Sequence, residues 1–555
     1  MTDTVQATVE VVENDGTHLE VAAEELLTEE QAAEQGLFDG VHDVEVVTVV
    51  PDDGGEPVRK VRQRKEYHEA TIRPATLMET LANEESLFDD ILSSLTDGKP
   101  SLDSLYGTVE DLNRVKSTNG LKSISLFSGC GGSETGFALA GWQGLMAVEF
   151  VGAARETIAM NYPSSMIEPK DVTTAAEAVI AETGLEIDLK YNKKRKINGV
   201  LHEAMINWEE TLEEAAKRVK NGADPQVFED VKRLRYLTSL RVLSERHSDD
   251  RVDLWGDDIR ALDPDAIMEA TGLKRGELDC LEGSPPCKSF SMSGIREDGW
   301  GQVLHYSGER NQRTDDLFIE YVRILKGLMP KTFIAENVQG LTVGAAAEDV
   351  MKPLLKEFDN MGYRVVARVL NSSDYGVPQT RPRVFFVGVR KDLIRKEDGA
   401  LSVYHFPPKM AHSYVLQDAL DAAASKNTAE EITFATLKTE SEIAKIWRRL
   451  PIGSAPESKA YQLMRCHPNR PTPTITATSA FNTPAAGPAH PHECRKFTVS
   501  EYRYLFGFPT DYKFAGTLGE QGERMGRSVT PYLMKQISGE IAKVIHESEV
   551  NGDAF

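Results

Sequence analysis

The feature that most limits how this chain can fold is an alternation that begins at Ser123. Short, continuously apolar runs are separated by stretches with helical spacing. Residues 124–127, 145–150, 278–282, 332–335, 363–370 and 383–389 read as strands, and 134–140, 317–327 and 350–361 as helices. A strand that is apolar on both faces must be covered on both, and interleaved helices supply that cover. The pattern predicts an α/β fold: a doubly wound, mostly parallel sheet with helices on both faces.

Other segments depart from the alternation. Residues 1–115 hold 27 Asp and Glu against 8 Lys and Arg, so most of the formal net charge of −24 lies there. Within this acidic N-terminal extension, 1–35 reads as a frayed helix or disorder. Residues 44–50 and 58–64 read as a hairpin around turn residues 51–56, and 75–115 as short helices broken at Lys99 and Pro100. The main domain, 121–390, belongs to a body that is nearly neutral and so can still carry a basic cleft. Residues 170–250 interrupt it as a charged helical insertion, and 391–470 form a smaller, irregular region. Order resumes at 471 and closes with a helix over 532–547 that returns to the sheet. No apolar run approaches the roughly eighteen residues that span a membrane, and the start of the chain lacks the basic and apolar parts of a signal peptide. The five cysteines, 130, 280, 287, 466 and 494, have no metal-ligand spacing. A reducing compartment without structural zinc is therefore expected.

Four short motifs carry chemistry. Phe127, Ser128, Gly129, Cys130, Gly131 and Gly132 make a glycine-rich loop after the first strand, at the sheet edge where α/β proteins bind ligands. Its spacing is not that of a phosphate cradle, so an uncharged or zwitterionic cofactor suits it better, and a plain tight turn is the alternative. Glu149 ends the next strand, where a carboxylate can accept from ribose hydroxyls. Asp258, followed by Ile259, is either a ligand contact or an N-cap. Cys287 follows Pro285 and Pro286 and precedes Lys288, Ser289, Phe290 and Ser291. That is a rigid strand end suited to presenting a nucleophile, where a free cysteine is more often a buried filler. Glu336 ends a buried strand, as a structural partner or as an acid with a raised pKa. Arg381 and Arg383, with Gln379, alternate at a strand start; alone, such residues are more often salt-bridge partners.

Taken together, these residues resemble the DNA (cytosine-5) methyltransferase family over 121–163, 251–390 and 466–547. The glycine loop is similar to the family's first cofactor motif, and Pro286 and Cys287 with Ser289, Phe290 and Ser291 to its nucleophile motif. Glu336, Asn337 and Val338 resemble its acid motif, and Gln379, Arg381 and Arg383 its Q-x-R-x-R motif. Gly526, Arg527, Ser528 and Val529 resemble its last motif, which packs beside the first. The resemblance implies a Rossmann-like methyltransferase sheet with a target-recognition domain in 391–470. It implies S-adenosyl-L-methionine as cofactor, held by Phe127, Gly129, Gly131, Gly132, Glu149, Asp258, Ile259, Pro286, Leu317, Ser528 and Val529. Its catalytic group would be Cys287, Glu336, Arg381 and Arg383. The thiolate would add to carbon 6 of cytosine, Glu336 would protonate ring nitrogen 3 and Arg383 would hold the ring oxygen, so that carbon 5 takes the methyl group. The implied substrate is double-stranded DNA with the target base flipped out, and residues 287–316 are the loop expected to close over it.

Lys288 and Arg527 stand where the family usually has Gln and Asn, which touches fine loop and cofactor contacts. A cognate restriction endonuclease is the partner the resemblance suggests. A monomer without membrane attachment, working in the cytoplasm of a prokaryotic cell or a virus-infected host, is the expectation. Two other readings are a tRNA cytosine-5 methyltransferase and a catalytically silent, sequence-specific DNA-binding regulator. The tRNA branch usually has Thr where Ser291 stands, and an intact Cys287, Glu336 and Arg383 argue against silence.

Overall fold

The computed structural model describes residues 98–192, 204–285, 317–342, 351–394, 404–457, 462–478 and 486–552, together with the backbone of short strands elsewhere. The chain divides into two compact units, Met1–Gly98 and Lys99–Phe555. In the first unit Thr8–Val12 pairs antiparallel with His18–Ala22, where a frayed helix or disorder was expected. The β-branched Thr8, Val9, Val11 and Val12 favour extended backbone over the helix that the nearby Ala and Glu suggest. His42–Pro51 pairs antiparallel with Pro57–Glu66, which is the expected hairpin. Residues 75–97, part of the expected short helices, lie outside the described residues.

The boundary expected at 115 falls at 98/99 instead. Leu102, Tyr106 and Leu112 are buried in the core of the second unit, and the Tyr106 hydroxyl donates to the Gly376 carbonyl at 2.8 Å. The acidic residues of this stretch sit in the first turns of two capped helices, Leu102–Tyr106 and Val109–Val115. There a carboxylate is favoured by the helix dipole, so counting charge hid the apolar stripe behind it.

Eight strands form the main sheet: β1 (Lys122–Leu126), β2 (Gln143–Val148), β3 (Ser164–Ile167), β4 (Val252–Trp255), β5 (Cys280–Gly283), β6 (Thr332–Val338), β7 (Tyr363–Asn371) and β8 (Pro382–Arg390). Their spatial order is β7-β8-β6-β5-β1-β2-β4-β3. All neighbours run parallel except β8, which is antiparallel to both β6 and β7. The strand order reverses about β1, the first strand, so its carboxyl end is a switch point, where open α/β sheets bind ligands.

The insertion between β3 and β4 is helical, as expected, with Pro169–Thr183, Trp208–Lys220 and Gln226–Arg246, plus a short antiparallel pair, Arg195–Ile197 with Val200–His202. It is no appendage: Val172, Ala176, Trp208, Leu234 and Leu243 share one core with Ile124, Leu126 and Val148 of the sheet. On the other face the closing helix Pro531–Gly552 buries Met534, Ile537, Ile541 and Ile545 with Phe137 and Trp142. Among the described residues no helix is long and apolar enough to cross a membrane.

The smaller region has its own core of Leu437, Ala444, Trp447, Leu463 and Ala489. The Trp447 indole donates to the His490 carbonyl at 3.0 Å, and Arg465 stacks 4.2 Å from the Trp447 ring. Gln462–Arg465 pairs parallel with Ala486–Ala489, so the region runs past the expected limit of 470. Its ends are pinned to each other: Leu437 N donates to Cys494 O at 3.1 Å and Lys496 N to Ala435 O at 2.9 Å. Leu416–Ala423, although within 391–470, packs in the main core.

Contact between the helix Gly132–Leu139 and the closing helix leaves no room at Gly136, where an added Cβ would lie 2.6 Å from both Met534 Cβ and Pro531 O. Gly136→Ala is expected to lower the free energy of unfolding by about 1–3 kcal/mol in urea titrations. Gly539→Ala, on the same closing helix with nothing within 4 Å of its added Cβ, is expected to raise it by about 0.5–1 kcal/mol.

Candidate active site

The loop after β1 owes its shape to positive φ angles. Phe127 adopts φ 60°, which is uncommon for a residue with a side chain, and Gly129 and Gly131 follow at 58° and 84°. Such strain, worth on the order of 1–3 kcal/mol for Phe127, persists where surrounding contacts over-determine it. Here they do: Ser128 N donates to Val148 O at 3.1 Å, Gly129 N to Glu149 Oε2 at 2.8 Å and Gly131 N to Ser128 O at 3.1 Å. Glu149 Oε1 accepts from Val151 N at 2.7 Å, so one carboxylate ties the β1 and β2 loops together. Burial pushes Glu149 up, and the two N–H groups oppose the shift.

The three glycines differ in role. Gly129 faces a cavity, with nothing within 4 Å of an added Cβ. Gly131 and Gly132 pack behind it: a Cβ would stand 2.5 Å from Tyr512 Oη at Gly131 and 2.3 Å from Val529 O at Gly132. They let the final motif close on the first and do not line the cavity.

The cavity wall is mixed. Its apolar part includes Phe127, Val151, Ile259, Leu317 and Val529, its carboxyl groups include Glu149, Asp257 and Asp258, and Gly129, Ser284 and Ser528 also line it. Asp258 both lines it and caps the turn Ile259–Ala261, accepting from Arg260 N at 2.9 Å while pairing with the Arg260 guanidinium at 3.0 Å. Asp257 is pushed up to about 8 by burial. The wall also contains Glu520, Glu523, Arg524 and Arg527 of the helix Leu518–Arg527, of which only Arg527 drew attention in the sequence. Their i, i+3, i+4, i+7 spacing on one helix face was the available signal.

Beside the cavity stands a buried carboxyl–guanidinium pair brought together by the reversal of β8. Glu336 of β6 lies opposite Phe385, and Val338 lies opposite Arg383. The Arg383 Nε is 3.2 Å from Glu336 Oε1. Burial pushes Glu336 up, while Arg383 and then Arg381 pull it down. Ser284 lines the cavity and follows Gly283, which pairs with Ala335 across β5 and β6, so it stands beside Glu336 at the same sheet edge. Asn337 Nδ2 donates to Pro285 O at 3.2 Å, fixing the loop that leads into the next two residues. Pro286 and Cys287 lie outside the described residues, as does most of 287–316.

Arg381 sits differently from Arg383. Its side chain is buried, with Nη1 donating to Ile475 O and Nη2 to Gly526 O and Ser528 O, all at 2.9 Å. Phe506 lies under the guanidinium at 5.3 Å. With those two nitrogens committed to main-chain carbonyls, it joins segments together, a structural role in contrast to the catalytic place expected for it, and its Nε has no hydrogen-bond partner among the described residues. Gln379 works alongside, donating to Leu505 O at 2.8 Å and accepting from Ile475 N at 3.0 Å. Cys130 is buried in the glycine loop with its thiol pushed up to about 12 by burial, which removes it as a competing nucleophile.

Comparison with known proteins gives a consistent result. The family profile described as C-5 cytosine-specific DNA methylase matches residues 248–543, more than half of the 555-residue chain. The type II methyltransferase M.Sau96I of Staphylococcus aureus is 30% identical over 289 residues, which cover 49% of this chain and 62% of that one. M.SacI of Streptomyces achromogenes is 30% identical over 314 residues, 50% of this chain and 75% of its own. M.FnuDI of Fusobacterium nucleatum is 30% identical over 303 residues, 51% and 80% respectively. The chain belongs to the family of C-5 cytosine-specific DNA methylases.

Proposed function

We propose that this chain transfers a methyl group from S-adenosyl-L-methionine to carbon 5 of cytosine in duplex DNA. The observation that carries the proposal is the adjacency of two places at one sheet edge, where Ser284 of the cavity wall follows the Gly283–Ala335 pairing: the mixed cavity over the glycine loop and the buried Glu336–Arg383 pair. The cavity suits an adenosyl group joined to an amino acid. Phe127, Ile259 and Leu317 offer flat and apolar surface, the Glu149 carboxylate can accept from ribose hydroxyls, and the open space at Gly129 admits close approach. When bound, the cofactor supplies an electrophilic methyl group.

The remaining chemistry falls to the protein. The Cys287 thiolate adds to carbon 6 of cytosine, forming a carbon–sulfur bond. Glu336 delivers its proton to ring nitrogen 3, which neutralises the electron pair that addition pushes into the ring. Arg383, held by Glu336, lies against the ring oxygen and stabilises the developing charge. Addition makes carbon 5 nucleophilic enough to be methylated. Loss of the carbon 5 proton to solvent then expels the thiolate, and ring nitrogen 3 returns its proton to Glu336, which restores the ring. The base must first leave the duplex, at about a few kcal/mol of lost stacking and pairing. Arg381 keeps the last motif over the cavity and takes no part in the bond changes.

Three variants test these roles. Cys287→Ala is expected to abolish methyl transfer, measured with tritiated cofactor on duplex DNA, while calorimetry still detects cofactor binding. Cys130→Ser should retain turnover, and robust turnover by Cys287→Ala would remove the covalent step. Glu336→Gln keeps the shape of the acid without its proton and is expected to slow single turnovers by about 10²–10⁴-fold. A loss of only twofold or so would make Glu336 structural. Arg381→Lys, unable to span three carbonyl groups, is expected to lower stability in urea by about 2–3 kcal/mol, because buried acceptors are left unpaired. Arg383→Lys is expected to act mainly on turnover.

A further inference from the structure

Two loops of the cavity wall are held from behind by a residue that does not itself line it. Arg155 lies in the helix Gly152–Ala159 and is 2% exposed. Its Nη1 is within donor distance of three main-chain oxygens: Glu149 O at 2.9 Å, Phe150 O at 2.7 Å and Gly256 O at 3.2 Å. Glu149 and Phe150 follow β2 and line the cavity. Gly256 follows β4 and leads directly into Asp257, Asp258 and Ile259, which line it as well. The Nη2 reaches the end of a third strand, donating to Glu168 Oε2 at 2.6 Å. Glu168 follows β3 and is the N-cap of the first inserted helix, Pro169–Thr183. One guanidinium therefore ties together the ends of β2, β4 and β3.

The fit behind the wall is close. A Cβ at Gly256 would stand 2.4 Å from Arg155 Cζ and 2.5 Å from Ile167 O, so the absence of a side chain there lets the guanidinium lie against that backbone. Stability alone is a poor account of Arg155. Its Nε is buried without a hydrogen-bond partner among the described residues, and an unpaired buried donor is destabilising. A cation near a helix N-terminus also opposes the helix dipole. What the arrangement maintains, against both penalties, is a fixed spacing between two loops of one cavity.

We infer that Arg155 is a positioning residue for the adenosyl end of the cofactor, and that Glu168, at the root of the insertion, orients it. The inference rests on the cofactor proposed for the cavity above. Glu149 and Ile259 serve one adenosyl group together only while their loops keep a fixed spacing. Arg155 sets that spacing through carbonyl groups on both loops, and touches neither cofactor nor substrate. On the β2 side it holds the main chain of Glu149, whose carboxylate accepts from Gly129 N and Val151 N. The insertion thereby gains a task beyond filling the core, because the Glu168 ion pair links the start of its first helix to the cavity.

The test is calorimetric binding of S-adenosylhomocysteine to the full-length protein, together with the cofactor KM and the rate at saturating cofactor on duplex DNA. Arg155→Lys keeps the charge but cannot span both loops and Glu168 with one nitrogen. Its dissociation constant and cofactor KM are expected to rise about tenfold, the equivalent of one lost charged hydrogen bond. The rate at saturating cofactor should fall by no more than about twofold, and the stoichiometry of binding should not change. A purely structural residue would do the reverse, lowering the stoichiometry and leaving the dissociation constant alone. The same loss is expected for methylthioadenosine, which has the adenosyl end without the amino acid. Glu168→Ala, where the side chain is 38% exposed and the change disturbs little packing, should weaken binding by about threefold. An unchanged dissociation constant for either ligand in Arg155→Lys, while the unaltered protein binds S-adenosylhomocysteine, overturns the inference and leaves the proposed function standing. Absence of binding by the unaltered protein overturns both. Should Arg155→Lys fail to fold, an unchanged constant in Glu168→Ala overturns the inference by itself.

Discussion

The guanidinium of Arg381 is the point on which the cavity depends. Removing a charge from water is expensive unless its donors are satisfied. Here three main-chain carbonyl oxygens from residues 475, 526 and 528 accept from it, and the Phe506 ring lies against its face. Those carbonyls come from segments far from β8 in sequence, and the last of them leads directly into Val529, whose own carbonyl closes on Gly132. The wall formed by Ser528 and Val529 is therefore tied to β8 by this side chain, and the glycine loop is pressed against that wall. A lysine, with one nitrogen in place of a planar fork, has no comparable way to hold three acceptors.

The reversal of β8 does the second part of the work. In a wholly parallel sheet every strand presents its last residues at the binding edge. An antiparallel strand presents its first ones there, so Arg383, near the start of β8, meets Glu336, near the end of β6. The pair is buried, which raises the carboxyl and lowers the guanidinium, and each partly offsets the other's loss of water. An acid held up in this way is a better proton donor near neutral pH than one in open water. Burial, and not contact with a distant charge, is what equips the site.

Much of this was legible in the sequence, because apolar runs and helical spacing respond to the same burial that the structure realises. The strands at 124–127, 363–370 and 383–389 differ from those observed by one or two residues at their ends. Direction was not legible: a buried run such as that in β8 reads alike whichever way it lies in the sheet. The N-terminal boundary was misplaced because Asp103, Glu110 and Asp111 raise the acid count while serving as first-turn residues of packed helices. Gly131 and Gly132 were legible as special positions but not as packing positions, since only the fold brings Tyr512 and Val529 to them.

The region with its own small core has ends that meet: the backbone bonds of Leu437 to Cys494 and of Lys496 to Ala435 bring its first and last residues together. Between Cys494 and Lys496, Arg495 forms a two-pronged ion pair with Glu501, both bonds 2.7 Å, which anchors the outgoing chain to the main body. A segment whose ends are already adjacent adds little to the entropy of closing the rest of the fold, whatever its length or internal sequence. It behaves as a cassette on a fixed socket. Changes in its length or internal packing can therefore be absorbed between its joined ends while the glycine loop, the Glu336–Arg383 pair and the Arg381 clamp stay as they are.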